Sequence, residues 1–259
     1  AVTNGSGVTG SNETGITGAY SITVSDAEID AAALNTLDAL TTVDISLSAA
    51  TPTLTGALTT GSTDAVNKAL ASDGITGASS LNVKAAAGTY SIAQANYASA
   101  LTTGVVTATI ASSTLTELAA LNETGNAYTI EVSDTGTIDA AALNVLNGKT
   151  TGVVAVKATK ITGALSDIKS IYDANTAGEI SGLGNEVVSI SDTGSVSAAT
   201  LNSVNSLTTG VVTATGVTAV TGTLAEIRAA YAAASAGTIS GLGNEAISIA
   251  DLGTVVSPS

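Results

Sequence analysis

Tyr128-Thr-Ile-Glu-Val-Ser-Asp134-Thr-Gly136-Thr-Ile-Asp-Ala-Ala-Ala-Leu143-Asn144 is the stretch that decides the architecture, because the chain writes it again. It returns as Val188-Ser-Ile-Ser-Asp192-Thr-Gly194-Ser-Val-Ser-Ala-Ala-Thr-Leu201-Asn202, and an earlier copy runs from Tyr20 through Asp26 and Asp30 to Leu34-Asn35. Asp134 and Asp192 stand 58 positions apart, and Asp192 and Asp251 stand 59 apart. A fixed period of this length is the signature of a repeat architecture. A degraded copy runs from Leu81 to Tyr90, and Thr-Thr-Gly-Val-Val recurs from Thr102, Thr150 and Thr208. The resulting division is an N-terminal lead-in over 1–18, repeats over 19–78, 79–126 (degraded), 127–186 and 187–245, and a partial repeat over 246–259.

Inside a repeat the apolar period changes. Ile130 and Val132 alternate, as do Val188 and Ile190, which predicts short strands. Leu34, Leu37 and Leu40, then Leu143 and Leu146, then Leu201, Val204 and Leu207 are three apart, which is helical spacing. Asp30, Asp139 and Ser197 stand just before those runs as N-caps. The second helical run, with Leu115, Leu118 and Leu121, or Leu165, Ile168 and Tyr172, or Leu224, Ile227 and Tyr231, is preceded by Thr114/Glu117 and Thr223/Glu226 in capping-box spacing. One period therefore reads as strand-helix-strand-helix, with parallel strands joined by helical crossovers. The expected fold is α/β, a repeat solenoid of β-strand and short-helix coils; the competing form is a parallel β-helix decorated with short helices.

Composition supports thin layers. Six Tyr are the whole aromatic complement, and Phe, Trp, Met, Cys and His are absent. A conventional core closes its gaps with large side chains, whereas stacked repeats bury only narrow apolar faces. Seven basic against 21 acidic residues leave a net charge of −14, which repels nucleic acid and anionic lipid. No stretch approaches the roughly 20 apolar residues needed to cross a bilayer.

The Ala142-Leu143-Asn144-Val-Leu146, Val212-Thr-Ala-Thr-Gly-Val217-Thr218 and Thr221-Gly-Thr-Leu-Ala-Glu-Ile227 combinations resemble repeats of the giant cell-surface proteins of marine cyanobacteria, of the swimming-motility type. The resemblance runs from about residue 19 to 251, in a chain far shorter than those proteins. It implies an extracellular location and a structural or motility role, and it carries over no catalytic residue. The scarcity of basic residues, the abundance of Thr, Ser, Gly and Ala and the start at Ala1-Val2-Thr3 lead independently to an expectation of a secreted, cell-surface protein.

Asp26, Asp134, Asp192 and Asp251 recur once per period and are the candidate metal ligands, calcium being the ion that oxygen-rich turns take. The plainer reading makes Asp-x-Gly a turn, with Asp bonding nearby backbone and Gly at positive φ. Only Asp26-Ala-Glu28-Ile-Asp30 brings several acids close in sequence. The pairs Asn12-Glu13, Asn122-Glu123, Asn185-Glu186 and Asn244-Glu245 would either complete such an ion site or, on the plainer reading, form stacked asparagine ladders along the solenoid. Asn4, Asn12 and Asn122 match the glycosylation acceptor pattern. Thr107-Ala-Thr109 and Thr213-Ala-Thr215 suggest a threonine row for ice, which Ala155-Val-Lys157 interrupts.

Without His or Cys, general acid–base chemistry falls to carboxylates, Lys and Tyr, and no enzymatic activity is expected. The functional expectation is an extracellular structural protein whose copies join head to tail as a filament, fibre or layer, with a calcium-stabilised adhesin stalk or surface-binding module as the alternative. The break inside a fifth repeat at Ala250–Ser259 motivates the first of these.

Overall fold

The computed structural model describes residues 18–251. In chain order these hold β1 (Thr23–Val24), β2 (Glu28–Asp30), α1 (Ala31–Asp38), β3 (Ser46–Leu47), β4 (Thr53–Gly56), α2 (Ala65–Leu70), β5 (Asn82–Ala85), α3 (Ile92–Ala100), β6 (Val106–Thr109), α4 (Leu115–Leu118) and β7 (Ala127–Glu131). There follow β8 (Thr137–Asp139), α5 (Ala140–Asn147), β9 (Val154–Ala155), β10 (Lys160–Gly163), α6 (Leu165–Ala177), β11 (Ile180–Ser181), β12 (Val187–Ile190) and β13 (Ser195–Ser197). The last elements are α7 (Ala198–Leu207), β14 (Val212–Thr213), β15 (Ala219–Gly222), α8 (Leu224–Ser235), β16 (Ile239–Ser240) and β17 (Ala246–Ile249). The class is mixed α/β with several sheets, and the described strand pairs run parallel.

Two compact units divide the chain: residues up to Ala111 with Ala120–Ile130 and Lys149–Gly152, and Ser112–Ala119 with Glu131–Gly148 and the chain from Val153 onward. In the first, β2, β4, β5, β6 and β7 pair in chain order, and β1 pairs with β3. In the second, one sheet runs β8-β10-β12-β14-β16, another β13-β15-β17, and β9 pairs with β11.

Paired residues of these strands lie from 20 residues apart, Thr107 to Ala127, up to 29, Thr53 to Asn82. The chain therefore returns to a neighbouring strand about twice in each 58-residue period. One period, from β12 through β16, holds five strands and two helices, a finer division than the strand-helix-strand-helix reading. β9 and β14 begin at the second valine of Thr-Thr-Gly-Val-Val, the segment read as the second strand, and β11 lies in the extended stretch 178–182; the strands missing from that reading are β8, β10, β13 and β15, whose three or four residues are too few for alternation to register.

The helices follow their local signals. Asp30, Asp139 and Ser197 accept from the backbone N–H groups of Ala33, Ala142 and Thr200, and both capping boxes form in full. Leu34, Leu143, Leu146, Leu201 and Val204 are buried, each such side chain contributing about 1.5–3 kcal/mol by leaving water. Leu40 falls beyond the end of α1 and is exposed. The core is as thin as composition demands: inward positions of successive strands, such as Leu54, Val83 and Val106 or Ile161, Val188 and Val212, stack in register with aliphatic neighbours.

Candidate functional site

The recurring aspartates were the leading site candidates, and three of them have a common task. Asp134 Oδ2 accepts from Leu115 N at 2.6 Å, Asp192 Oδ2 from Leu165 N at 2.7 Å, and Asp251 Oδ1 from Leu224 N at 2.9 Å. The donors are the first residues of α4, α6 and α8, whose N–H groups have no partner inside the helix. A carboxylate there also meets the positive end of the helix dipole. Each aspartate thus caps a helix that lies 19 or 27 residues earlier in the chain, where the sequence reading had it bonding its own turn. Gly136 and Gly194 also depart from that reading, since neither adopts positive φ; their carbonyls accept from Thr159 and Thr218 and open the next strand pairing.

Asp26 is exposed and makes no such bond among the described residues. No group of three acidic side chains converges among the described residues, so the four candidates are not gathered into one site. At α6 the residue in the N-cap position is Ala164, which has no side-chain acceptor, so Asp192 supplies what Thr114 and Thr223 share with their distant aspartates at the other two helices. Asp192→Ala is expected to cost about 1 kcal/mol, and Asp26→Ala less than about 0.5 kcal/mol, read as shifts in urea midpoint; equal shifts would refute the assignment.

Two further repeated motifs hold strands and helices together. Thr102, Thr150 and Thr208 each donate to a main-chain carbonyl, of Leu81 (2.6 Å), Tyr128 (2.8 Å) and Glu186 (2.7 Å), and each accepts from the glycine two residues on. Asn35, Asn144 and Asn202, each following a buried leucine, do likewise between helices: Asn35 donates to Ala65 O, Asn144 to Asp167 O and Asn202 to Glu226 O, all in first helical turns.

In two of the Asn-Glu pairs, Asn185-Glu186 and Asn244-Glu245, the glutamate is the buried member. Glu186 is fully buried, and its Oε2 accepts from Tyr172 OH at 2.9 Å and from Gly184 N at 2.9 Å. Glu245 repeats this with Tyr231 OH and Gly243 N, both at 2.8 Å. Burial, followed by the Glu186 charge, pushes the Tyr172 phenol well above its ordinary pKa, with a Thr208 hydrogen bond opposing. Burial and the bond to Glu245 push Tyr231 up to about 12. Burial raises the Glu245 carboxyl, but the Gly243 N–H, the Tyr231 hydroxyl and its own turn outweigh it, and the pKa ends below the usual range. Both pairs span 14 residues, and the signal was present in sequence as a tyrosine at matching places in two repeats.

Asn122 lies in an exposed irregular segment, whereas Asn4 and Asn12-Glu13 fall outside the described residues, as does the chain beyond Asp251. Thr107 and Thr109 face outward from β6, and Lys157, at the break in the threonine row, pairs with Glu131 at 2.9 Å. No helix among the described residues is long and apolar enough to cross a membrane. Set against protein-family models, curated proteins and solved structures, the chain matches none.

Proposed function

We propose that this chain is an extracellular structural protein, a solenoid of β-strand and short-helix coils whose copies join head to tail as a surface filament, fibre or layer. The observation that carries the reading is the use made of recurring polar residues: Asp134, Asp192 and Asp251, Thr150 and Thr208, and Asn144 and Asn202 all bond residues 19 to 27 positions away, on a neighbouring return of the chain. Recurring residues that join one return of the chain to the next are what a self-stacking scaffold requires. The −14 charge disfavours nucleic acid as a partner, and export follows from composition.

Electron microscopy of the purified protein, with light scattering over a hundredfold concentration range, tests it. Elongated particles that lengthen with concentration are the expected result. Monomers at every concentration would overturn the reading.

A further inference from the structure

The last residues of α1 and α5 occupy equivalent places in their repeats, and each is matched to a partner on a later return of the chain. Asp38 Oδ2 accepts from Ser72 Oγ at 2.8 Å. Asn147 Nδ2 instead donates to Glu179 Oε2 at 3.1 Å. Where the partner is a donor the position holds a carboxylate, and where the partner is a carboxylate it holds an amide. The main chain of Glu179 is fixed there, its N–H bonded to Ala174 O and its carbonyl accepting from Val154 N. The contact therefore depends on residue 147 remaining an amide.

Asn147 is followed by Gly148, and no other Asn-Gly pair lies among the described residues. Asn-Gly is the pair in which an asparagine loses its amide most readily, because no β-carbon on the next residue hinders its nitrogen. In that reaction Gly148 N gives its proton to solvent and attacks Asn147 Cγ; the new C–N bond closes a five-membered succinimide, and ammonia leaves. Water then adds to either ring carbonyl and opens the ring to aspartate, or to isoaspartate with the main chain routed through the side-chain carbon. In the folded chain Gly148 N–H donates to Asn144 O at 3.0 Å, so the nitrogen keeps its proton. The helical conformation of Asn147 turns that nitrogen away from Cγ, and Glu179 holds the amide itself. Helix ends open more easily than helix middles, and α5 ends at this residue, so the block lifts without unfolding the whole chain.

We propose that Asn147-Gly148 is a site of non-enzymatic modification, closed while the last turn of α5 is intact, whose conversion to aspartate or isoaspartate sets a carboxylate against Glu179 and unfastens α5 from the segment leading into β11. Two carboxylates would then face each other across the 3.1 Å now spanned by a hydrogen bond, and like charges at that range repel. Isoaspartate also lengthens the main chain by one atom, which displaces Gly148 N from Asn144 O. The reaction needs only water and lies within one chain, so it stands apart from the head-to-tail reading.

Purified protein held at mildly alkaline pH, folded and in urea, tests the proposal, with the peptide that carries residue 147 followed by mass spectrometry. Conversion at least tenfold faster in urea than in the folded protein is the expected result. Equal rates would overturn the closure, and no conversion in urea would remove the site. Gly148→Ala is the control: φ is −67° there and an added Cβ meets its nearest neighbours at 3.6 Å, so the fold admits it. It is expected to slow conversion in urea at least tenfold while the melting temperature holds; an undiminished rate would place the reaction elsewhere. Asn147→Asp, the product made directly, is expected to lower the melting temperature by about 2–4 °C, and Glu179→Gln in the same chain to restore it by supplying a donor again. An Asn147→Asp protein as stable as the original, or one that Glu179→Gln leaves unrescued, would overturn the unfastening.

Discussion

Gly210→Ala is expected to destabilise the fold by about 3 kcal/mol, while Gly194→Ala, sixteen positions earlier, is expected to change stability by less than about 1 kcal/mol and in the favourable direction. Neither glycine sits at positive φ, so strain in the backbone is not the issue. At Gly210 an added Cβ would stand 2.8 Å from Val187 N and inside contact distance of the Glu186 carbonyl, both main-chain atoms with no side chain to swing aside. The threonine two residues earlier donates to that same carbonyl, so the turn is pressed against the neighbouring strand by its own hydrogen bond. Gly104 and Gly152 stand in the same relation to the Leu81 and Tyr128 carbonyls. At Gly194 an added Cβ meets nothing within 4 Å, and the substitution only reduces the freedom of the unfolded chain. Chemical denaturation followed by circular dichroism separates the two; equal midpoints would show that the strands can spread to admit a methyl group.

Tyr172→Phe is expected to cost about 2 kcal/mol and Tyr231→Phe less than half of that. Both changes remove a hydroxyl that donates to a glutamate. Glu186 is wholly buried and already has one oxygen, Oε1, without a hydrogen-bond partner, so losing the Tyr172 donor leaves a desolvated carboxylate held by Gly184 N alone. Tyr231 is half-exposed, and water replaces the lost donor there. The same pairs set the response to alkali. Because Tyr231 titrates at about 12 in the folded protein, against about 10 when unfolded, folding favours the protonated phenol. That contribution is complete below about pH 10 and drains away as pH rises toward about 12. Glu245 works in the opposite sense: its folded pKa is lowered, so its contribution is present at neutral pH and is lost as pH falls through the carboxylate range. Tyr231→Phe is therefore expected to flatten the decline in melting temperature between about pH 10 and 12, and an unaltered slope would show that the pair is not its source.

How far the sequence could be read depended on how near the partners of each residue lie along the chain. Asp30, Asp139, Ser197, Thr114 and Thr223 act within three residues of themselves, and their roles were legible from spacing. The burial of Leu143 and Leu201 followed from helical periodicity. Asp192 was legible as a recurring residue, but its task was not, because Leu165 reaches it only after the chain has made a full return. The glutamates were misassigned for the same reason: Asn185 and Asn244 stand beside them in sequence, but Tyr172 and Tyr231 stand beside them in space.

Sequence by itself determined the period, the helix starts, the mixed α/β class and the aliphatic thinness of the core, since each of these is set by residues a few positions apart or by composition. Tertiary structure alone decided that each period returns to its neighbours twice, that the recurring aspartates cap helices 19 or 27 residues away, and that Gly210 rather than Gly194 is the glycine with no room for a methyl group. Those outcomes depend on where one strand comes to rest beside the next, and that position is fixed by main-chain hydrogen bonds between strands 20 to 29 residues apart, a separation at which side-chain periodicity carries no signal.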